Sequence, residues 1–413
     1  MFNLIKENKM FRVLLIYQIF SGLGGAIFQF FMLLAVHLMY ENPIYTGITG
    51  FLIAFPHVFA FLVGPMVDRA KKPRIMRITT FVEFAMLALL AFSPLLEIFG
   101  VIFVFIVVAS FSVMALFEAP TSTALLPQIV EPEKILKANS AIDISQLVGG
   151  LIVAVILFSS LGYDANFTLI FGVSVAFLFI AFLTSLFVKE PGKEKSEAKP
   201  RKNYLLELKE GAKLIKNGVL LYATLAGIVM IFFAEIAFIN RPMFLEYHVG
   251  AQGYIIFTVV GIIGSIVASV IMGSIGGKFR AGRMISFLLI LASINRIAFT
   301  FIIPHSLAGA IATTVFYVAA AGAVGMIFRT LRQALPPKDM VGRVETIHTT
   351  LAAGFVAVGA IAGGFIGSAL SNVGYTFVLH GAVYALVAIT LLFIPAVQKL
   401  PKMSEIKKSN DEE

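Results

Sequence analysis

The sequence predicts an all-α membrane protein, with twelve transmembrane helices in two six-helix halves, and three observations carry that expectation. Mean hydropathy is +0.94 and only 13% of the residues are charged, against roughly a quarter in soluble domains. Apolar runs long enough to cross a bilayer are separated by breaks, and Lys and Arg crowd into every second break. The chain also repeats itself at an offset of 209: Gly64 matches Gly273, Arg69 matches Lys278, Lys71 matches Arg280, Arg74 matches Arg283, and Leu126-Pro127 falls on Leu335-Pro336. Two separate loop features at one offset point to parallel six-helix halves, an arrangement that places a substrate site between them.

In chain order, Lys6, Lys9 and Arg12 precede the first apolar run, Val13 to Met39. That run exceeds a signal-peptide core and lacks a small-residue cleavage pattern behind it, so it reads as a retained first helix. The expected spans are 13–38, 44–67, 75–96, 99–122, 136–160 and 165–188 in the first half. Those of the second half are 218–241, 251–272, 284–303, 306–328, 344–370 and 374–398. Residues 1–188 and 218–413 thus form the halves, and 189–217 a polar linker. Within the linker Leu205, Leu208, Ala212 and Ile215 recur at helical spacing opposite Lys209, Lys213 and Lys216, as in a helix lying on the inner membrane surface; a solvated charged linker reads equally well. If the even breaks are cytoplasmic, 30 of the 32 Lys and Arg lie on that side. Only Arg241, in an outer break, and Arg296, inside the ninth span, escape the pattern. Both termini are therefore expected in the cytoplasm, in a multi-pass protein of the cell membrane.

Composition excludes several classes. The +9 net charge is spread over alternate loops rather than gathered into a nucleic-acid patch. Cysteine is absent, so disulfides, thiolate metal sites and cysteine nucleophiles are absent with it. The six histidines show no metal-ligand spacing, and no phosphate-binding loop occurs, so neither a cofactor, an enzyme nor an ATP-driven pump is expected. Glu345 and His348 stand one turn apart and read as a helix-end polar pair. Asn166-Phe167-Thr168 is read as a chance sequon.

The loop Gly64-Pro65-Met66-Val67-Asp68-Arg69-Ala70-Lys71-Lys72-Pro73-Arg74 resembles the signature between the second and third helices of the major facilitator superfamily. It matches at the Gly, Asp, Arg and basic tail, with Ala70 or Lys71 where a Gly is common. The resemblance implies a cytoplasmic gate: Gly64 lets a helix approach, Asp68 meets the positive end of a helix in the other half, and Arg69, Lys71 and Arg74 pair with carboxylates or lipid phosphates. Gly277 stands where a second Asp would be, so the latch is asymmetric. As merely topogenic positives, Lys72 and Arg77 are well explained, but Asp68 is not.

Phe117-Glu118-Ala119-Pro120, Leu126-Pro127, Lys137-Ala138-Asn139-Ser140 and Gly342-Arg343-Val344 look like the branch of bacterial macrolide-efflux and siderophore-export proteins. Gly150, where drug antiporters of the superfamily often carry Pro, departs from their fifth-helix motif. The resemblance implies a monomeric secondary exporter of small amphipathic compounds, coupled to protons; a lysophospholipid flippase and a siderophore exporter of the same fold are alternatives. A non-transporting receptor is the reading from another class, disfavoured by outer loops of about ten residues or fewer.

Intramembrane ionisable groups are the candidate site residues, since a charge at mid-bilayer costs at least ~2.5–3.5 kcal/mol on insertion scales. They are Glu83, Glu118, Asp143, Glu235 and Arg296. By the family's helix arrangement, Glu235 in the seventh span and Glu118 in the fourth outrank Glu83 and Arg296 on outer helices. Glu235 is the leading coupling or cargo-contact candidate, with Glu118 and Asp143 behind it. For Glu235 the alternative is an ion pair with Arg241 or Arg296; for Glu118 it is a pair with a loop cation near the cytoplasmic end; for Asp143, a partnership with Arg69 or Arg74. Arg296 is expected to pair with a carboxylate or to snorkel.

Overall fold

The computed structural model describes residues 6–92, 95–131, 134, 138, 141–142, 145, 149–150, 167–189, 215, 218–337, 340–402 and 405. The chain divides into two compact units, Met1–Ala198 and Lys199–Glu413. Among the described residues there is no β-strand, only one isolated bridge between Arg280 and Lys402, and ten helices have the length and apolarity to cross a membrane. The expected fifth span and the linker fall almost wholly outside the described residues; of the linker's apolar face, Ile215 alone is described, helical and buried.

In the first unit α1 runs Lys9–Tyr40, capped by Asn8, whose side chain accepts from the Phe11 amide at 2.9 Å. Glu41 ends it with a φ of 49°, and Asn42 at once caps α2, Pro43–Ala54. A 3₁₀ turn at Phe55–Phe59 leads into α3, Ala60–Arg69, and α4 follows as Lys72–Phe92. At 21 residues, or ~31 Å, α4 can span, although its first turns hold Lys72, Arg74 and Arg77. The fourth span is divided between α5 (Leu95–Ala115, itself interrupted at Gly100, φ 53° and ψ −139°) and α6 (Glu118–Ile129). Pro120 explains the break: it offers no N–H to the Leu116 carbonyl and its ring clashes there. The span reaches Ile129 rather than residue 122, and Asn8 Nδ2 donates to the Ile129 carbonyl at 2.8 Å, tying its end to the start of α1. The last described helix of this unit is α7, Phe167–Ser185.

The second unit holds α8 (Val219–Ile239), a short α9 (Arg241–Val249), α10 (Ala251–Ile275), α11 (Ala281–Ile302), α12 (Leu307–Ala334), α13 (Val341–Ala369) and α14 (Tyr375–Leu392). The twelfth span stops at Leu392, not 398. Pro395 forces Ile394 into an extended conformation with φ −95° and ψ 104°, and only a four-residue turn, Pro395–Gln398, follows.

Glycines allow close helix contacts. A Cβ on Gly359 would lie 2.9 Å from the Phe232 carbonyl, and one on Gly363 would lie 3.1 Å from Ile236 Cα, so α8 and α13 meet backbone to backbone. Asn240 locks that contact by donating to the carbonyls of Ile236 at 2.9 Å and Gly363 at 2.8 Å. Arg77, expected only to orient the chain, also ties two helices together. It donates to the carbonyls of Ser185, Leu186 and Val188 at 3.3 Å each, satisfying the C-terminal end of α7.

Candidate functional site

Three helices of the first unit bring a polar cluster into its apolar interior. On α1, Tyr17 and Ser21 lie one turn apart; on α4, Thr80 and Glu83 do; on α6, Glu118, Thr121 and Ser122 share a face. Tyr17 Oη and Thr80 Oγ1 are hydrogen-bonded at 3.0 Å. Ser21 Oγ donates to Glu118 Oε1, and Gln18 Nε2 to Ser122 Oγ. Glu83 is 1% exposed and, among the described residues, neither carboxyl oxygen has a hydrogen-bond partner. Tyr17, Glu83 and Glu118 lie within electrostatic reach of one another. A loop cation was the expected alternative partner of Glu118; its partner is Ser21. Glu118 begins α6, which continues eleven residues beyond it to Ile129, ~16 Å along the axis. Sequence reasoning ranked Glu83 low by its helix; the missed signal was polar residues at one-turn spacing on two neighbouring apolar helices.

In the second unit Glu235 is half-buried on α8, its Cβ against the open face at Gly359. Among the described residues it forms no ion pair, so neither Arg241 nor Arg296 is the partner weighed from the sequence. Tyr254 of α10 lies within its electrostatic reach. Arg296, on α11, is 8% exposed, so it does not snorkel, and among the described residues it pairs with no carboxylate. Its Nε donates to His380 Nδ1 at 3.3 Å, and its guanidinium lies 4.4 Å from the Phe377 ring centre, 4.7 Å from Tyr317 and 5.7 Å from Phe299. Aromatic faces take the place of the expected carboxylate.

Glu345 bonds not His348 but Arg332, from Nε to Oε2 at 2.9 Å, joining α13 to α12. His348 is instead buried facing α8, near Gly227, with Nδ1 unpartnered.

Of the gate residues, Gly64, Asp68 and Arg69 lie on α3, Lys71 in the break after it, and Arg74 in the first turn of α4; Lys71 and Arg74 are exposed. Asp143 lies outside the described residues. A cavity of about 190 Å³ between α1, α4, α5 and α7 is lined by Met32, Met39, Leu90, Val104, Phe167 and Phe171. No group of three potential metal ligands occurs among the described residues.

Long apolar helices in two units, with carboxyls and guanidiniums held inside them, are the build of a membrane transporter. The sequence matches the Major Facilitator Superfamily over residues 14–352, and the chain belongs to that family of multi-pass transporters of small molecules. With this membership, its fold is the twelve-helix fold of two six-helix halves. Among solved structures, the chain is similar to a mutant of the nucleoside transporter NupG, with 14% identity and a TM-score of 0.77, covering 92% of this chain and 99% of that one. It is similar also to the xylose transporter XylE from E. coli in an inward-open conformation, with 14% identity, a TM-score of 0.68 and coverage of 97% and 99%. A mutant peptide transporter POT in complex with sulfate gives 12% identity, a TM-score of 0.71 and coverage of 96% of each chain. At such identities the likeness is one of fold. No curated protein sequence matches the chain.

Proposed function

We propose that the chain exports small amphipathic compounds from the cell in exchange for protons, by alternating access of its two halves, working as a monomer in the cell membrane with both termini in the cytoplasm. One observation carries the reading: Glu83 and Glu118 lie within electrostatic reach of each other inside the first unit, Glu83 with both oxygens unpartnered among the described residues. Like charges repel strongly in a low-dielectric interior, so of two carboxyls so placed one is suited to holding a proton and releasing it when the cluster opens to water. Glu235, in the second unit and without an ion pair among the described residues, is a second coupling or cargo-contact group. Asp143 stays a candidate from its place in the sequence. The gate is Gly64 and Asp68, with Arg69, Lys71 and Arg74 beside them. The apolar cavity of the first unit can receive part of a greasy cargo but, at about 190 Å³, not a whole drug-sized molecule. A lysophospholipid flippase or siderophore exporter of the same fold is the second reading, favoured by two arginines, Arg241 and Arg296, that have no carboxylate partner among the described residues.

The test uses proteoliposomes with an imposed pH gradient and a panel of fluorescent amphiphiles. Gradient-driven accumulation that a protonophore abolishes, and that Glu118→Gln lowers to background, is the expected result. Accumulation indifferent to the protonophore would contradict coupling. Topology is checked by cysteine labelling from outside, which should succeed at Asn42→Cys and fail at Lys278→Cys.

A further inference from the structure

Of the 32 Lys and Arg, the two that the loop pattern leaves over, Arg241 and Arg296, both lie inside the second unit, within electrostatic reach of each other. They stand at the start of α9 and on α11, close enough for Arg241 to act electrostatically on Arg296, and Tyr317 lies within reach of both. Arg241 is half-buried, with its guanidinium 5.2 Å from the Tyr254 ring centre and one weak bond, Nη2 to Thr258 Oγ1 at 3.4 Å. Each guanidinium offers five N–H donors. Apart from that bond and the one from Arg296 to His380, the donors of both meet no protein acceptor among the described residues, and neither arginine has a carboxylate partner. Two like charges with idle donors, taken from water without a counter-ion, cost several kcal/mol each.

The fold does not require them. At the repeat offset of 209, Arg296, Tyr317 and His380 correspond to Leu87, Val108 and Phe171, three members of one buried apolar cluster in the first unit. The same corner is thus packed with hydrocarbon in one half and with an arginine, a phenol and an imidazole in the other.

We propose that Arg241 and Arg296 form a binding site for a compact anionic group, a phosphate or carboxylate, carried by the cargo. Each guanidinium presents its donors in a planar fork that suits such oxyanions, and the Tyr317 hydroxyl can add one more. The attribution to cargo rests on the transport reading above; the site itself does not.

Binding is measured on the full chain in phosphatidylcholine nanodiscs, with decyl phosphate, inorganic phosphate and decyltrimethylammonium as probes. Decyl phosphate should bind saturably, without competition from decyltrimethylammonium, and Arg296→Gln and Arg241→Gln should each weaken it about tenfold or more, the loss typical of hydrogen bonds to a charged group. Arg296→Lys should lose less. Arg241, being half-buried, carries the test alone if the Arg296→Gln variant fails to fold. Unchanged affinity in a folded variant overturns the site. Inorganic phosphate binding as tightly as decyl phosphate, or loss of decyl phosphate binding when phosphatidylglycerol is added to the discs, overturns the assignment to cargo in favour of a free anion or a lipid headgroup. Proton-driven transport of decyltrimethylammonium with no anion binding overturns the site and leaves the transport reading standing. Saturable anion binding with no transport of any probe does the reverse.

Discussion

The interiors of the two halves are complementary. In the first, Tyr17, Ser21, Thr80, Glu83 and Glu118 form a polar cluster; at the offset of 209 their counterparts are Ala226, Met230, Leu289, Ala292 and Ile327, all in one buried apolar cluster of the second half. In the second half the polar corner is Arg296, Tyr317, His380 and Tyr384, and its counterparts Leu87, Val108, Phe171 and Val175 are all apolar core in the first. A repeat whose halves share a frame has thus placed a carboxyl pair at one position in the first copy and a guanidinium at another in the second, each where the sister copy shows that hydrocarbon suffices for packing. The polar groups are accordingly the part of the interior to assign to function rather than to folding.

Substitutions can break that comparison. Glu118→Gln should have the largest effect, removing gradient-driven transport while leaving expression and the melting profile near those of the wild type; an unfolded variant would mean that the cluster is structural after all. Arg296→Met, which approximates the volume and supplies the apolar character of the sister corner, should leave thermal stability unchanged or raise it by up to ~1–4 kcal/mol, as replacing buried charges by apolar groups often does. A lower Tm would show that the aromatic cage holds α11, α12 and α14 together. Asn240→Ala sharpens the distinction from the other side, since this polar residue serves packing: losing two buried bonds, one of them between helices, should cost about 1–3 kcal/mol in unfolding free energy. Arg77→Gln should have the smallest effect, ~0.3–1 kcal/mol, the usual worth of a cation at a helix C-terminus.

The spans were legible because a bilayer demands apolar runs of set length, and the repeat because loops between parallel halves keep their glycines and cations. The boundaries at Ile129 and Leu392 were missed for a local reason: Pro120 breaks its span without ending it, whereas Pro395 does end one. Glu118 and Glu235 were visible as charges in apolar runs. Glu83 was visible too but ranked by helix position, which says nothing of Tyr17, Thr80 and Glu118 converging on it. The pairing of Arg241 with Arg296 could not be read, because 55 residues and two helices separate them in the sequence; what sequence did supply was that these two alone stand apart from the topogenic positives. Arg77 shows the converse, a residue fully explained by topology that also caps a helix.

The division of labour between the halves is tested most directly by comparing two transport modes in proteoliposomes, gradient-driven accumulation and cargo exchange at equal pH, for Glu118→Gln and Arg296→Gln. The account predicts that Glu118→Gln loses accumulation but keeps exchange, because the cargo site in the second half is intact, and that Arg296→Gln loses both for anionic cargo. Loss of exchange in Glu118→Gln together with normal exchange in Arg296→Gln would contradict it.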